Sequence, residues 1–422
     1  MRGPRSAALF SRSKALTPGG VSSPVRAFPP NPLFIAEGKG SHIIDADGNE
    51  YVDLCMAYGP LIAGHACPDV IDAAAAQIRK GTVYGAPSEP ELSLIEKIAG
   101  RMPSCDMVRL ACSGTEATMH AIRLARGHTG KDGIVKIDGG FHGAHDAMLI
   151  AAGSGSAQGV PGSAGVPEDA VKNTYAVDYN DAGMFESLLD KNDDIAAVIM
   201  EPVLGNVGVV PPKKGYLEEM RKITSSHGVL LIFDEVITGM RLSGGGAQKM
   251  LGVTPDLTTM GKIIGGGFPA GAFGGKREIM ENVAPQGSVY AAGTFAGNPV
   301  SAAAGLALLN FMEGKYGALN AATADLVSSL RDSLADSGVK GCIQSVGSMF
   351  SIGLGMDSIS NGREARGVDR ESFAKLFACM LDSGVYLPPS ALEVEFMSAA
   401  HTEEDSRKIA EAFDSAVRRL KA

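Results

Sequence analysis

Apolar positions along the chain recur with two periods. A period near 3.6 marks amphipathic helices at about Ala7 to Leu16, Val70 to Lys80, Glu89 to Arg101, Thr115 to Arg126, Ala182 to Asp190 and Tyr216 to His227. In the fourth of these, Met119, Ile122 and Ala125 share one face. Between the helices lie apolar runs of strand length: Met107 to Ala111, Gly133 to Ile137, Ala196 to Met200, Val229 to Phe233 and Ala270 to Phe273. Phe34-Ile35 and His42 to Tyr51 read as strands around an Asp47-Gly48 hairpin turn. Strand and helix in alternation predict an α/β fold around a mostly parallel sheet with both faces covered. From about Pro299 the pattern changes to a long Ala-rich helix, a strand near Ser345 to Leu354, a helix from Arg370 to Ser383 and a closing helix from Glu403. That order predicts a second, smaller α+β domain.

Length agrees with two unequal domains, since 422 residues exceed what one ordinary core serves. Hydrophobic content of 45% and charged content of 20% describe a globular chain. Glycine, with 54 residues, stands well above its usual share of roughly 7%, and its clusters between apolar runs predict turns and loops that a ligand approaches closely. The net charge of −9 speaks against nucleic acid and anionic membranes as partners. No apolar run approaches the ~20 residues of a membrane span. Cys55, Cys67, Cys105, Cys112, Cys342 and Cys379 are scattered without a C-x-x-C pair, which fits a reduced cytoplasm. Met1 to Lys14 is basic, but its apolar core, Ala7 to Phe10, is too short for a signal sequence. The expectation is a cytoplasmic enzyme starting at its natural Met1.

Four short stretches carry candidate chemistry. Lys262 lies between an apolar segment and Gly265-Gly266-Gly267. A desolvated lysine amine is nucleophilic and forms a Schiff base with an aldehyde, and glycines would leave room for a bulky cofactor. By itself the stretch also fits a surface loop with a snorkelling lysine. Ser113-Gly114-Thr115 stands where a strand runs into a helix; such a turn binds phosphate, or serves as an ordinary N-cap. Asp234 ends the apolar run Val229 to Phe233, where ligands bind open α/β sheets. A buried carboxylate there needs a cation such as a protonated pyridine nitrogen, with Val236 under the ring; metal coordination and helix capping are the other uses of an Asp-Glu pair. Phe141-His142-Gly143-Ala144-His145-Asp146 suits either a stacking aromatic beside a histidine or a metal, although no zinc spacing matches. Neither a Walker motif nor a dinucleotide fingerprint occurs. Taken together, phosphate turn, pyridinium carboxylate and lysine are the three handles of pyridoxal 5′-phosphate (PLP).

The ordered motifs resemble a family. Pro18 to Phe28, Ala57 to His65, Ser113 to Ala117, Phe233 to Gly239, Pro255 to Thr259, Gly261 to Gly267 and Gly293 to Pro299 together look like the class III aminotransferases of PLP fold type I. The N-terminal and Lys-Ile-Ile-Gly-Gly-Gly runs, with Asn206 in place of a glutamate, are similar to the branch that moves an amine between carbons of one substrate. An intermolecular β- or ω-amino-acid aminotransferase is the alternative. The resemblance implies residues 1–55 as an N-terminal segment of the small domain bearing a substrate loop, 56–305 as the PLP domain and 306–422 as the C-terminal small domain. It implies Lys262 as the covalent cofactor anchor and catalytic lysine. Ser113, Gly114, Thr115, Phe141, His142, Asn206, Asp234 and Val236 would hold the cofactor, with Gly293 and Thr294 from the neighbouring subunit of a homodimer. Ser23, Arg26, Tyr58, Ser154 and Glu393 would meet a small substrate with one carboxylate, and Gly153 to Pro167 would form a mobile loop over the site. No metal is implied, and the cycle would pass through the pyridoxamine form. Phe141 replaces a common tyrosine, Ala291 a glutamine, Cys112 an asparagine and Cys67 a histidine.

Overall fold

The computed structural model describes residues 3–150 and 162–421. It divides into two compact units, one of Met1–Cys67, Ala318–Ser358 and Gly367–Ala422, the other of Pro68–Gly317 and Ile359–Arg366.

The second unit is built on a seven-stranded sheet. Its order is Met107–Ala111, Gly271–Gly275, Leu257–Gly261, Leu230–Asp234, Ile195–Met200, Gly133–Ile137, Thr174–Val177. Only Gly271–Gly275 runs against the others. All six residues of Ile195–Met200 are buried, as cover on both faces demands. The helix Gly114–Thr129 packs Ala121, Ile122, Leu124 and Ala125 into one core with Ile134, Ile199, Ile232, Leu257 and Phe273. Each fully buried Ile, Leu or Phe contributes about 1.5–3 kcal/mol.

Two strands of this sheet escaped the pattern, Thr174–Val177 and Leu257–Gly261. The second is hidden by Thr258 and Thr259, polar residues in a fully buried strand. Their hydroxyls are satisfied inside: Thr258 Oγ1 lies 2.7 Å from Ser104 Oγ and accepts from Gln248 Nε2 at 3.1 Å, and Thr259 Oγ1 donates to Asp234 Oδ1 at 3.2 Å. The stretch around Lys262 is therefore a buried strand followed by a tight turn, not the surface loop that was one of its two readings.

The first unit holds a four-stranded sheet, ordered Ile35–Lys39, His42–Asp45, Glu50–Asp53, Val385–Tyr386, and a three-stranded one of Gly341–Val346, Met349–Leu354 and Glu395–Phe396. The expected Asp47-Gly48 turn forms because Asp45 Oδ1 accepts from the Asp47 and Asn49 N–H groups, both at 2.9 Å, and Gly48 adopts φ +86°. The region near Ser345 to Leu354 is a hairpin of two strands. The Ala-rich region is likewise two helices, Pro299–Phe311, which belongs to the second unit, and Tyr316–Ser337, most of which belongs to the first. The closing helix Glu403–Lys421 carries acids in its first turn and Arg418, Arg419 and Lys421 in its last, matching the helix dipole, and buries Ile409, Ala412, Phe413, Ala416 and Val417. Among the described residues no helix is long and apolar enough to cross a membrane.

Candidate active site

Three chain segments of the second unit reach the same level of the sheet. Gly271 pairs with Ala111 on one side and Gly261 on the other, so the turn after Ala111 and the turn after Gly261 leave the sheet side by side. Asp234 pairs with Thr259 on the next strand, at the same C-terminal edge. Strand pairing thus gathers Ser113-Gly114-Thr115, Asp234 and the backbone entering Lys262.

Space between these segments is closely filled. A Cβ on Gly114 would sit 3.0 Å from Val236 Cγ1 and 3.1 Å from Cγ2, and one on Gly261 would sit 3.3 Å from the same Cγ1 and 3.4 Å from Gly114 Cα. Val236 is therefore clasped between Gly114, in the turn after Ala111, and Gly261, the residue before Lys262. Ser113 caps the sixteen-residue helix Gly114–Thr129 by accepting from the Glu116 N–H at 3.2 Å. The capping role and the phosphate role are compatible, because helix N-termini present several unpaired N–H groups.

Lys262 is half-buried and has φ +48°, a left-handed conformation that a side-chain-bearing residue seldom adopts. The glycines after it differ from expectation. A Cβ on Gly266 would lie 2.5 Å from the Ala304 carbonyl oxygen, and one on Gly265 would lie 3.0 Å from Ala270 Cβ. Their room is taken by this chain's own helix Pro299–Phe311 and by Ala270. The close approaches on the site side fall to Gly114 and Gly261.

Asp234, 3% exposed, uses both oxygens. Oδ1 accepts from the Val236 N–H at 3.0 Å and from Thr259 Oγ1; Oδ2 lies 2.8 Å from His142 Nδ1. Burial lowers the pKa of His142, against the pull of Asp234. A neutral imidazole orients the carboxylate without itself supplying a charge, and a buried carboxylate suits a cationic partner. Glu235 turns elsewhere. It accepts from the Ala247 and Gln248 N–H groups at 2.6 and 3.1 Å, capping the short helix Gly246–Leu251. One member of the Asp-Glu pair thus caps a helix and the other faces the site.

Two groups were missed in the sequence. Glu201 follows its strand directly and accepts from the Phe141 N–H (3.0 Å), Asn206 Nδ2 (2.9 Å) and the Gly205 N–H (2.8 Å). Burial first, then the Asp234 carboxylate, pushes its pKa up to about 7. Lys136, fully buried in its strand, donates to the Gly140 and Met148 carbonyls at 2.9 and 3.2 Å, and burial brings its pKa down to about 8. The signals were available: a carboxylate just past a buried strand, and a cation inside one. Phe141 is 43% exposed with its backbone tied to Glu201.

Other expected residues are placed as follows. Gly293 and Thr294 are exposed; a Cβ on Gly293 would lie 3.5 Å from Cys112 Sγ. In the first unit, Ser23 and Arg26 flank a short turn, with the Arg26 N–H donating to the Ser23 carbonyl at 3.1 Å. Tyr58 Oη donates to the Val25 carbonyl at 2.8 Å. Burial pushes the Tyr58 phenol up, with the Cys55, Tyr386 and Glu393 side chains adding to it. Ser154 lies outside the described residues, as do positions 153–161 of the loop expected at Gly153 to Pro167. No cluster of three or more His, Cys, Asp or Glu suited to a metal occurs among the described residues.

These features fit PLP: a buried carboxylate for a pyridinium, a helix N-terminus for a phosphate, the closely packed Gly114, Val236 and Gly261 where a flat ring could lie, and Lys262 directly after Gly261. A family model described as Aminotransferase class-III matches residues 25–417. A glutamate-1-semialdehyde 2,1-aminomutase of Archaeoglobus fulgidus is 53% identical over 411 residues, covering 97% of this chain and 98% of that protein. Among solved structures, an omega-transaminase from Sphaerobacter thermophilus has a TM-score of 0.94 at 34% identity, covering 100% of this chain and 98% of the other. A glutamate-1-semialdehyde-aminomutase variant from Pseudomonas aeruginosa PAO1 in complex with PMP has a TM-score of 0.89 at 28% identity, covering 99% and 95%. The geometry of the sheet edge and these likenesses agree, and the chain belongs to the class-III aminotransferase family.

Proposed function

We propose that this protein is a PLP-dependent aminomutase that converts glutamate-1-semialdehyde to 5-aminolevulinate, an early step of tetrapyrrole synthesis. The observation that carries the reading is the convergence of Asp234, the Ser113–Thr115 turn and the Lys262 turn on one sheet edge. It occurs in a chain about half identical, end to end, to proteins named for that reaction.

The cofactor supplies an electron sink and, in its pyridoxamine form, the amine that is exchanged. Asp234 keeps the ring nitrogen protonated, and His142 fixes the rotation of Asp234. Val236 and Phe141 would pack against the ring, and Glu201, which accepts from the Phe141 N–H and from Asn206, steadies the Phe141 backbone. Ser113, Gly114 and Thr115 bind the phosphate. Gly293 and Thr294 act from the second subunit of a homodimer, which suits their exposure in a single chain. Lys262 Nζ would move the proton between the bound cofactor and the substrate carbon that gains or loses the amine. Arg26 anchors the substrate carboxylate through its planar fork, with Ser23, Tyr58, Ser154 and Glu393 around the remainder of the substrate. Retention of the diamine formed midway is essential, since its escape would leave the cofactor in the wrong form. Six free cysteines and a net charge of −9 suit a cytoplasmic setting without nucleic-acid or membrane partners.

The test is purified enzyme with PLP and semialdehyde but no added amino donor or acceptor. Formation of aminolevulinate is the expected result. Keto-acid-dependent transfer without donor-free turnover would instead make the protein an intermolecular aminotransferase.

A further inference from the structure

Met56, Ala57 and Tyr58 lie one after another in left-handed backbone, with φ of +43°, +55° and +63°. Residues with a Cβ visit that region singly, because Cβ crowds the carbonyl oxygen, so a run of three persists only where neighbouring groups impose it. Ala57 is exposed and offers no packing in return. What imposes the turn is Asp53. Its Oδ1 accepts from the Cys55 and Met56 N–H groups at 2.8 and 3.0 Å, and its Oδ2 lies 2.7 Å from His65 Nε2, which fixes the carboxylate's rotation. Asp53 is 3% exposed, so water does not compete for these bonds. At the far end of the turn, the Tyr58 hydroxyl donates to the carbonyl of Val25, the residue before Arg26.

We infer that Asp53 and His65 are positioning residues for substrate recognition: together they hold the strained Met56–Tyr58 turn and, through the Tyr58 bond to Val25, the Arg26 loop. Neither touches substrate in this scheme. Both act on the affinity for the carboxylate and leave the chemistry at Lys262 alone. The identity of that substrate rests on the aminomutase reading.

Asp53→Ala removes the acceptor of both N–H groups and the partner of His65. The expected result is a KM for the semialdehyde raised roughly tenfold with kcat within about threefold, and an unchanged visible spectrum of the PLP-loaded enzyme. Asp53→Asn keeps an oxygen toward the two N–H groups and recovers most of the loss. Adding Ala57→Gly to Asp53→Ala recovers part of it, since glycine adopts the left-handed region without penalty. Amide exchange at residues 55 and 56 accelerates in Asp53→Ala and slows again in Asp53→Asn. Should Asp53→Ala fail to fold, His65→Ala against His65→Gln gives the same ordering, because the glutamine amide can still donate. Equal KM values across these enzymes, a fall in kcat alone, or no recovery from Ala57→Gly would overturn the inference. Failure of the aminomutase reading is a separate result, absent donor-free turnover in the unmodified enzyme; unchanged amide exchange in Asp53→Ala would then still overturn the role of Asp53.

Discussion

Glu201 offers the sharpest test of the electrostatics beneath the candidate site. Its carboxyl is 3% exposed, and burial with the Asp234 charge lifts its pKa from 4.5 to about 7 against three hydrogen bonds. Between those values the folded protein keeps a proton that the unfolded chain has released. Its contribution is therefore fully present below pH 4.5 and is lost as pH rises through about 7. The swing amounts to about 3 kcal/mol. Glu201→Gln removes the titration but keeps the shape. The amide oxygen can serve the Phe141 N–H and Asn206, which leaves the amide NH2 facing the Gly205 N–H, a loss of about 1–2 kcal/mol. The difference between variant and parent thus changes sign, the variant being less stable by about 1–2 kcal/mol near pH 5 and more stable by roughly as much near pH 8. Thermal unfolding of both cofactor-free proteins across that range measures it, and groups common to the two cancel. A difference that stays constant with pH would refute the buried, Asp234-coupled anion.

Other predictions are simpler. Lys262→Ala abolishes donor-free turnover and the visible absorbance of the covalent cofactor linkage; surviving turnover would remove Lys262 from its role. Gly114→Ala leaves the chain folded, since alanine favours the helix it opens, but lowers PLP affinity by roughly tenfold because its Cβ meets the Val236 methyls at 3.0 and 3.1 Å. An unchanged affinity in a PLP titration would show that this surface does not face the ring. Arg26→Gln raises the KM for the semialdehyde by roughly a hundredfold through loss of a bidentate carboxylate bond, and an unaltered KM would mean that another group anchors the substrate.

By itself the sequence determined the alternation of strands and helices, the parallel character of the sheet and the turns that carry chemistry. Burial is written along the chain: Ile195–Met200 is apolar at every position because both of its faces are covered, and the closing helix repeats its apolar face because only one is. Ser113 to Thr115, Asp234 and Lys262 were legible as residue types that need a reason to stand at strand ends. Their convergence belonged to the tertiary structure, because it depends on hydrogen-bond pairing between remote segments, as when Asp234 meets His142 across 92 positions. So did the division of labour within Asp234-Glu235 and among the glycines, where only the filled neighbouring space says that Gly266 lies against the helix Pro299–Phe311 and Gly114 against Val236. Strand Leu257–Gly261 stayed hidden because buried threonines with satisfied hydroxyls look polar in one dimension. The left-handed run at Met56–Tyr58 has no sequence signature at all, since its residues have no preference for that conformation and it is held by groups that only the fold brings together, Asp53 with His65 at one end and the Tyr58 bond to Val25 at the other.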